Sequence, residues 1–353
     1  MRVLLTGAAG FIGSHIRDAL LDAGDEVVAA DLMLAAAHGP AATVPEGVQH
    51  ADVRDPEAMS RLLRGVDVVC HQAAVVGAGV NAADAPAYAC HNDLGTAVLL
   101  AAMAEAGVRR LVLASSMVVY GEGRYRGADS AEAVPVPRRR EDLERGCFDH
   151  LDPGTGRPLA WAPIGEDGRL APRSLYAASK LAQENYALAW AAATGGAVIA
   201  LRYHNVYGDG MPRDTPYSGV AAIFRSALAA GAAPRVFEDG GQMRDFVHVR
   251  DVAAANVAAV HHSLPGFVAL NVCSGVPITI LEVAGLLSRA HGGTPPLVTG
   301  EYRPGDVRHI VAAPDRARDL LGFTAAVHPA DGLAEFATAP LRSAVAVGAP
   351  QWR

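Results

Sequence analysis

The chain has 353 residues, 51% of them apolar and 19% charged, with a formal net charge of −7. Such a composition excludes intrinsic disorder and supports a large core. The acidic balance leaves no broad basic surface for a nucleic-acid backbone, so no nucleic-acid partner is expected. No uninterrupted apolar run approaches the roughly 18–20 residues of a membrane span, so no membrane partner is expected either. VLLT after Met1-Arg2 is too short for a secretion signal. Cys70, Cys90, Cys147 and Cys273 lie far apart without a CxxC pair, which predicts a reducing, cytoplasmic setting with no disulfide framework and no metal site.

In chain order, RVLLT (2–6), EVVAAD (26–31), DVVCHQAA (67–74), RRLVLASS (109–116) and AVIALRY (197–203) read as strands. They are continuously apolar rather than alternating, as strands covered on both faces must be. FIGSHIRDALLDAG, ending at Gly24, and NDLGTAVLLAAMAEAG, ending at Gly107, read as the helices between them. Strand–helix–strand repetition predicts an α/β fold, a Rossmann-type doubly wound parallel sheet. Residues 1–202 are expected to form the dinucleotide-binding domain. The polar, Pro- and Arg-rich 122–172 is read as a surface insertion with a hairpin at DPGTG. Residues 203–342, with helices near 216–231 and 278–291, are read mainly as a smaller substrate-binding domain with segments returning to the sheet. Beyond about 340, and through 343–353, only a weakly structured tail is predicted.

Gly7, Gly10 and Gly13 in TGAAGFIG follow the first strand at once and open the first helix. One glycine permits the turn, one lets the backbone approach a pyrophosphate, and one allows close helix–strand packing. The helix amino terminus then offers N–H groups and a positive dipole end to the phosphates. Asp31 ends the second strand, where a carboxylate accepts a free ribose diol and repels a 2′-phosphate. DLMLAAA holds no Arg to welcome that phosphate, so NAD is favoured over NADP. An Asp31 that merely caps the next segment is the alternative. Asp52, in ADVRD after the third strand, is placed to touch the adenine.

The chain holds 29 arginines and a single lysine, Lys180. Where coding bias replaces Lys by Arg, a surviving lysine is a candidate for chemistry a guanidinium cannot perform. Lys180 follows Tyr176 by one helical turn in YAASK, so ammonium and phenol share a face. A tyrosine near pKa ~10 needs roughly 4 kcal/mol of differential stabilisation to reach ~7, and a buried ammonium with a cationic nicotinamide can supply it. Ser116, in LASSMVVYG, would hydrogen-bond the reacting oxygen. A Tyr and a Lys packed on an ordinary helix remain the bland alternative.

Taken together, TGAAGFIG, HQAA, ASSMVVYG, YAASK, LRYHNVYG, RDFVHVRDV and YRPGDVRH resemble the extended short-chain dehydrogenase/reductase family, in its nucleotide-sugar epimerase/dehydratase branch. The resemblance implies a Ser116, Tyr176 and Lys180 triad. Phe11, Ile12, Val53, Ala73, Ala74 and Asn92 join the cofactor contacts on the same pattern. It also implies that Asn205 and Arg244 contact the sugar nucleotide, while Arg303 and Asp306 hold its diphosphate and nucleoside ribose. Arginine forks suit phosphate oxygens, although each could be only a surface charge. Relatives pair the helices around 92–106 and 174–193 as a four-helix bundle, implying a homodimer.

Sugar 4,6-dehydratases resembling this chain carry an acidic pair where Met117 and Val118 stand, and neither of these moves protons. The reading is therefore an NAD-dependent 4-epimerase of a UDP- or dTDP-linked hexose, 6-deoxyhexose or uronate, with Tyr176 as base and a transient 4-keto sugar. A 4-ketosugar reductase or dehydrogenase, a 4,6-dehydratase and a non-catalytic NAD-binding protein are the alternatives. Arg213, in GDGMPRDTPYSG, could pair with a uronate carboxylate or form a loop salt bridge. Ile310 matches a gatekeeping position and leans against N-acetylhexosamines. His204 replaces a frequent aromatic beside the sugar and is read as a satisfied, half-buried histidine or a polar contact. The 122–172 insertion is similar to insertions in bacterial enzymes of dTDP-6-deoxyhexose epimerisation.

Overall fold

The continuous apolar runs become parallel strands covered on both faces, as such runs require. The computed structural model describes residues 1–39, 41–77, 79, 81–213 and 219–342. Arg2–Thr6 (β1), Glu26–Asp31 (β2), Val48–His50 (β3), Val68–His71 (β4), Arg110–Ser116 (β5), Ala197–Tyr203 (β6) and Gly266–Val272 (β7) form one sheet. Its order is β3-β2-β1-β4-β5-β6-β7, and each neighbouring pair is parallel. This is the Rossmann-type doubly wound sheet that the sequence pattern predicts. The order reverses between β1 and β4, where the loops leave in opposite directions and open a crevice at the carboxyl ends. β4 stops short of the predicted run 67–74, so that Gln72, Ala73 and Ala74 line that crevice.

Helices Phe11–Asp22 (α1), Gly95–Ala106 (α2), Leu175–Thr194 (α3) and Val249–His261 (α4) cover the sheet. Side chains alternate between the faces of a strand. Val3 and Leu5 accordingly enter a core with Ile16 of α1 and Val252 and Ala255 of α4. Leu4, between them, enters the opposite core with Leu99 of α2 and Ala187 and Trp190 of α3. A third core, around Tyr207, Phe224, Phe246, Val283 and Phe336, lies in the second half of the chain. The helices predicted near 216–231 and 278–291 run over Val220–Ala229 and Ile280–His291; residues 214–218 fall outside the described residues.

The 122–172 insertion is more than the polar surface excursion that its composition suggests. Its predicted hairpin is present, with Asp152 Oδ1 accepting the Gly154 and Thr155 N–H groups and a bridge joining Leu151 and Pro158. Yet Arg124–Arg126, Glu132–Ala133 and Ala160–Ala162 form a small antiparallel sheet, and Tyr125 and His150 are buried. Arg138 reaches Glu238 at 2.8 Å, while Arg308 joins Glu238 at 3.0 Å to Asp149 at 2.8 Å. Composition misleads here because a charge can be buried where a distant partner meets it.

Another buried pair binds sheet, helix and insertion together. Arg202 of β6 forks onto Glu184 of α3 at 2.9 and 2.8 Å. Its other N–H groups donate to the Tyr120 hydroxyl at 3.0 Å and the Glu166 carbonyl at 2.9 Å. Arg202→Leu leaves the buried Glu184 carboxylate without its guanidinium, held only by the Ser115 hydroxyl, and is expected to lower the unfolding free energy by about 3–5 kcal/mol. The urea midpoint measures this, and the double variant Arg202→Leu/Glu184→Leu should recover most of the loss.

Candidate active site

Each glycine of TGAAGFIG meets a different constraint. Gly7 turns the chain at a left-handed φ of 69°, and a Cβ on it would stand 2.7 Å from the Ala73 nitrogen. A Cβ on Gly13 would stand 2.0 Å from the Gly7 carbonyl oxygen, which shows how closely α1 lies against the turn. Gly10 donates its N–H to that same oxygen at 3.1 Å. Gly7, Gly10, Phe11, Ile12, Gly13, Asp31, Asp52, Val53, Ala73, Ala74, Tyr176, Lys180 and Asn205 line one cleft of about 560 Å³.

Asp31 is buried, and its carboxylate accepts the Ala9 N–H at 3.0 Å and the Met33 N–H at 2.8 Å, with His38 Nε2 at 3.3 Å. Burial opposes its ionisation, but the bonds from His38 and the backbone hold its pKa below the usual carboxylate value. It therefore binds the glycine loop as well as capping the residues that follow. Asp52 is held by Arg54 at 2.6 Å; burial again opposes ionisation, and the guanidinium keeps the pKa low. Asn92 behaves differently from the cofactor contact expected of it. Fully buried in a wide turn over Ala89–Leu94, it accepts the Val75 N–H at 2.7 Å and donates to the Val75 carbonyl and Ser179 hydroxyl, both at 2.9 Å. Its side chain pins the backbone behind the cleft and does not line it.

Ser116 ends β5, and Tyr176 sits in the first turn of α3, which Ser174 caps by accepting the Ala177 N–H at 3.2 Å. Lys180, one turn on, is 3% exposed. Its ammonium donates to the Ala114 carbonyl at 2.9 Å and stands 6.0 Å from the centre of the Tyr176 ring. Burial pushes the Lys180 pKa down to about 8, with the charge of Glu184 opposing. Burial pushes the Tyr176 phenol up, while the Ser116 hydroxyl pulls it down. The sequence reading has the ammonium lowering the phenol directly. Here the ammonium rests on a backbone carbonyl instead, and burial governs the phenol.

The second half of the chain brings two polar side chains to the same cleft. The Asn205 amide oxygen is buried and, among the described residues, has no hydrogen-bond partner. His204 is neither half-buried nor satisfied, contrary to the bland expectation: it is 4% exposed, and neither ring nitrogen finds a hydrogen-bond partner among the described residues. Its polar neighbour Asn271 has its amide committed to Tyr120, Ile164 and Ala313. Burial pushes the His204 pKa down to about 3, so the ring is neutral.

Arg244, Arg303 and Asp306 gather outside the lining of that cleft. Arg244 donates to the carbonyls of Met243, Val307 and Arg308 at 2.6–3.0 Å, and Arg303 stacks on Phe237 at 4.9 Å. Burial raises the Asp306 pKa, against the charges of Arg303, Arg244 and Arg138. Arg213 stands beside Arg225, whose pKa burial and the Arg213 charge both lower. Ile310 packs with Val119, Tyr120 and Ile164. One cleft residue carries no signal in the sequence. Arg342, at the edge of the expected tail, donates to the carbonyls of Ala9 at 2.7 Å and Gly10 at 3.1 Å. No motif surrounds it, and 333 positions separate it from Ala9.

Residues 3–141 and 156–273 match the sequence model of the NAD dependent epimerase/dehydratase family. The dTDP-L-rhamnose 4-epimerase of Burkholderia thailandensis is 34% identical over 331 residues, covering 90% of this chain and 88% of that one. The UDP-glucose 4-epimerase of Azospirillum brasilense is 30% identical over 360 residues, covering 97% and 92%. The structure of the Thermus thermophilus UDP-glucose 4-epimerase in complex with NAD aligns with a TM-score of 0.74 at 32% identity, covering 96% and 98%. With the glycine turn, Asp31 and the Tyr176–Lys180 pair on one cleft, this chain belongs to the NAD-dependent epimerase/dehydratase family and uses NAD as its cofactor.

Proposed function

We propose that this chain is an NAD-dependent nucleotide-sugar 4-epimerase. The observation that carries the reading is a single cleft with the glycine turn, Tyr176, Lys180, His204 and Asn205 all on its walls. The residues fit the cofactor. Gly7 and Gly13 leave no room for a side chain at the turn, Asp31 is kept ionised toward a ribose diol, and Ala73, Ala74 and Val53 form apolar wall. Bound NAD supplies a reversible hydride acceptor.

Burial by itself raises the Tyr176 phenol. The Lys180 ammonium together with the positive charge NAD would bring favours its phenolate, which takes the proton of the sugar 4-hydroxyl while Ser116 hydrogen-bonds the same oxygen. Lys180 keeps a compact positive charge beside the phenol, where it would also help hold the cofactor. The transient 4-keto sugar turns within the cleft, is reduced on its opposite face, and receives its proton back from Tyr176. No external reductant is consumed. Dehydration needs an acid and a base next to Ser116, but Met117 lines the cleft there. Asn205 and the neutral ring of His204 bind sugar hydroxyls, with Arg213 nearby. Arg303 and Asp306, backed by Arg244, hold the nucleoside diphosphate. The Burkholderia relative and the docked insertion favour a dTDP-linked 6-deoxyhexose, and UDP-hexoses are the second reading. Residues 1–202 serve the cofactor and 203–342 mainly the substrate. Leu94, Tyr186 and Leu188, exposed at the edge of α2 and on α3, pair with a second copy in a cytoplasmic homodimer.

Purified protein given dTDP- or UDP-sugars without added reductant should yield a mixture of C4 epimers. Strict dependence on added NAD(P)H would overturn the reading. Tyr176→Phe should lower kcat by about 10²–10⁴-fold while the NAD content of the purified protein stays unchanged. Because Lys180 is the only lysine, lysine labelled with ¹³C at the ε-carbon gives one NMR resonance, expected to titrate near pH 8 rather than 10.5. Between those values the unfolded chain binds more protons, so stability rises with pH across that window. Activity should fall over the same range as the ammonium is lost.

A further inference from the structure

Arg342 carries a cation to the cofactor loop from the opposite end of the chain. Its Nη1 donates to the Ala9 carbonyl at 2.7 Å, and its Nη2 to the Gly10 carbonyl at 3.1 Å and the Ser14 hydroxyl at 3.2 Å. These bonds leave N–H groups on Nε and Nη1 uncommitted among the described residues. No carboxylate pairs with the guanidinium there, and Asp31 acts on it only at longer range. A partly buried cation without a counter-anion is unfavourable. The side chain nevertheless lines the cofactor cleft, beside the amino terminus of α1.

The placement is built rather than incidental. The Arg342 N–H donates to the Met211 carbonyl at 3.1 Å, and Gly210 donates to the Pro340 carbonyl at 3.0 Å. Ala339 and Leu341 pack on the third core, and Met211 and Pro212 line the same cleft. The final described residues thus form a strap from that core to the glycine turn, with the guanidinium at its tip. Among the described residues no carboxylate completes this site, and a dinucleotide diphosphate entering the cleft is an anion that would. Planar guanidinium forks match phosphate oxygens.

We infer that Arg342 is a cofactor-binding residue, whose guanidinium pairs with the diphosphate of bound NAD and slows its release. The inference rests on the NAD assignment above, and it makes the C-terminal strap part of the cofactor site. The test is calorimetric binding of NAD, ADP-ribose and adenosine to the full chain stripped of cofactor, as wild type, Arg342→Ala and Arg342→Gln. Arg342→Gln keeps an amide donor for the loop carbonyls but removes the charge. Both variants should weaken NAD and ADP-ribose by about 10- to 100-fold, the range of a charge-assisted hydrogen bond. Adenosine, which lacks the diphosphate, should bind as before. If Arg342→Gln binds ADP-ribose like wild type, or if all three ligands weaken equally, Arg342 only braces the loop and the inference fails. If wild type binds neither NAD nor ADP-ribose, the cofactor assignment fails first and takes this inference with it.

Discussion

The proposed chemistry depends on one buried ammonium. Lys180 has its charge in a niche at the end of β5, where the Ala114 carbonyl holds it at 2.9 Å. Burial makes that charge costly, which is why its pKa drops to about 8. One turn further along α3, Glu184 offsets part of the cost. Glu184 is itself fixed by the Arg202 fork and by the Ser115 hydroxyl at 2.5 Å. That cation is thus one member of a chain of charges and hydrogen bonds running from β6 through α3 to β5. A guanidinium would need several acceptors in one plane, and this niche offers a carbonyl.

The cleft follows from strand order. β1 and β4 are neighbours whose connections leave in opposite directions, so the carboxyl ends of the sheet open between them. Gly7 leaves β1 and Ala73 follows β4, and they approach so closely that a side chain on the glycine cannot be accommodated. His71 reinforces the junction, bridging Thr6 at 2.7 Å and Thr96 at 3.1 Å in a neutral form that burial enforces. At the glycine turn, Asp31 and Thr6 bond neighbouring backbone and side-chain groups. In the same cleft, the Asn205 oxygen and the His204 nitrogens are without partners among the described residues.

Several residues show where linear reading stops. Asn92 is expected among the cofactor contacts, yet its amide is spent on Val75 and Ser179. His204 reads as an ordinary satisfied histidine because most buried imidazoles find partners. The polar insertion resembles solvent-facing chain, but Arg138 and Asp149 meet Glu238 and Arg308 from the distant second half. Arg342 stands near the end in a stretch without a motif. In each case the residue type is visible and its partner is not.

The amino-acid sequence alone determined what short-range physics controls. Buried parallel strands need unbroken apolar runs, a tight phosphate turn needs glycines at set places, and a phenol and an amine one helical turn apart must share a face. Such requirements act over a few residues, so they leave a local record. Only the tertiary structure decided which of the 29 arginines meets a carboxylate, a carbonyl or an open cleft, which imidazole stays unsatisfied, and how the end of the chain returns to its beginning. Those outcomes depend on distances between segments far apart in the chain. Burial and charge pairing act through space, and the order of residues does not record where a folded chain brings them together.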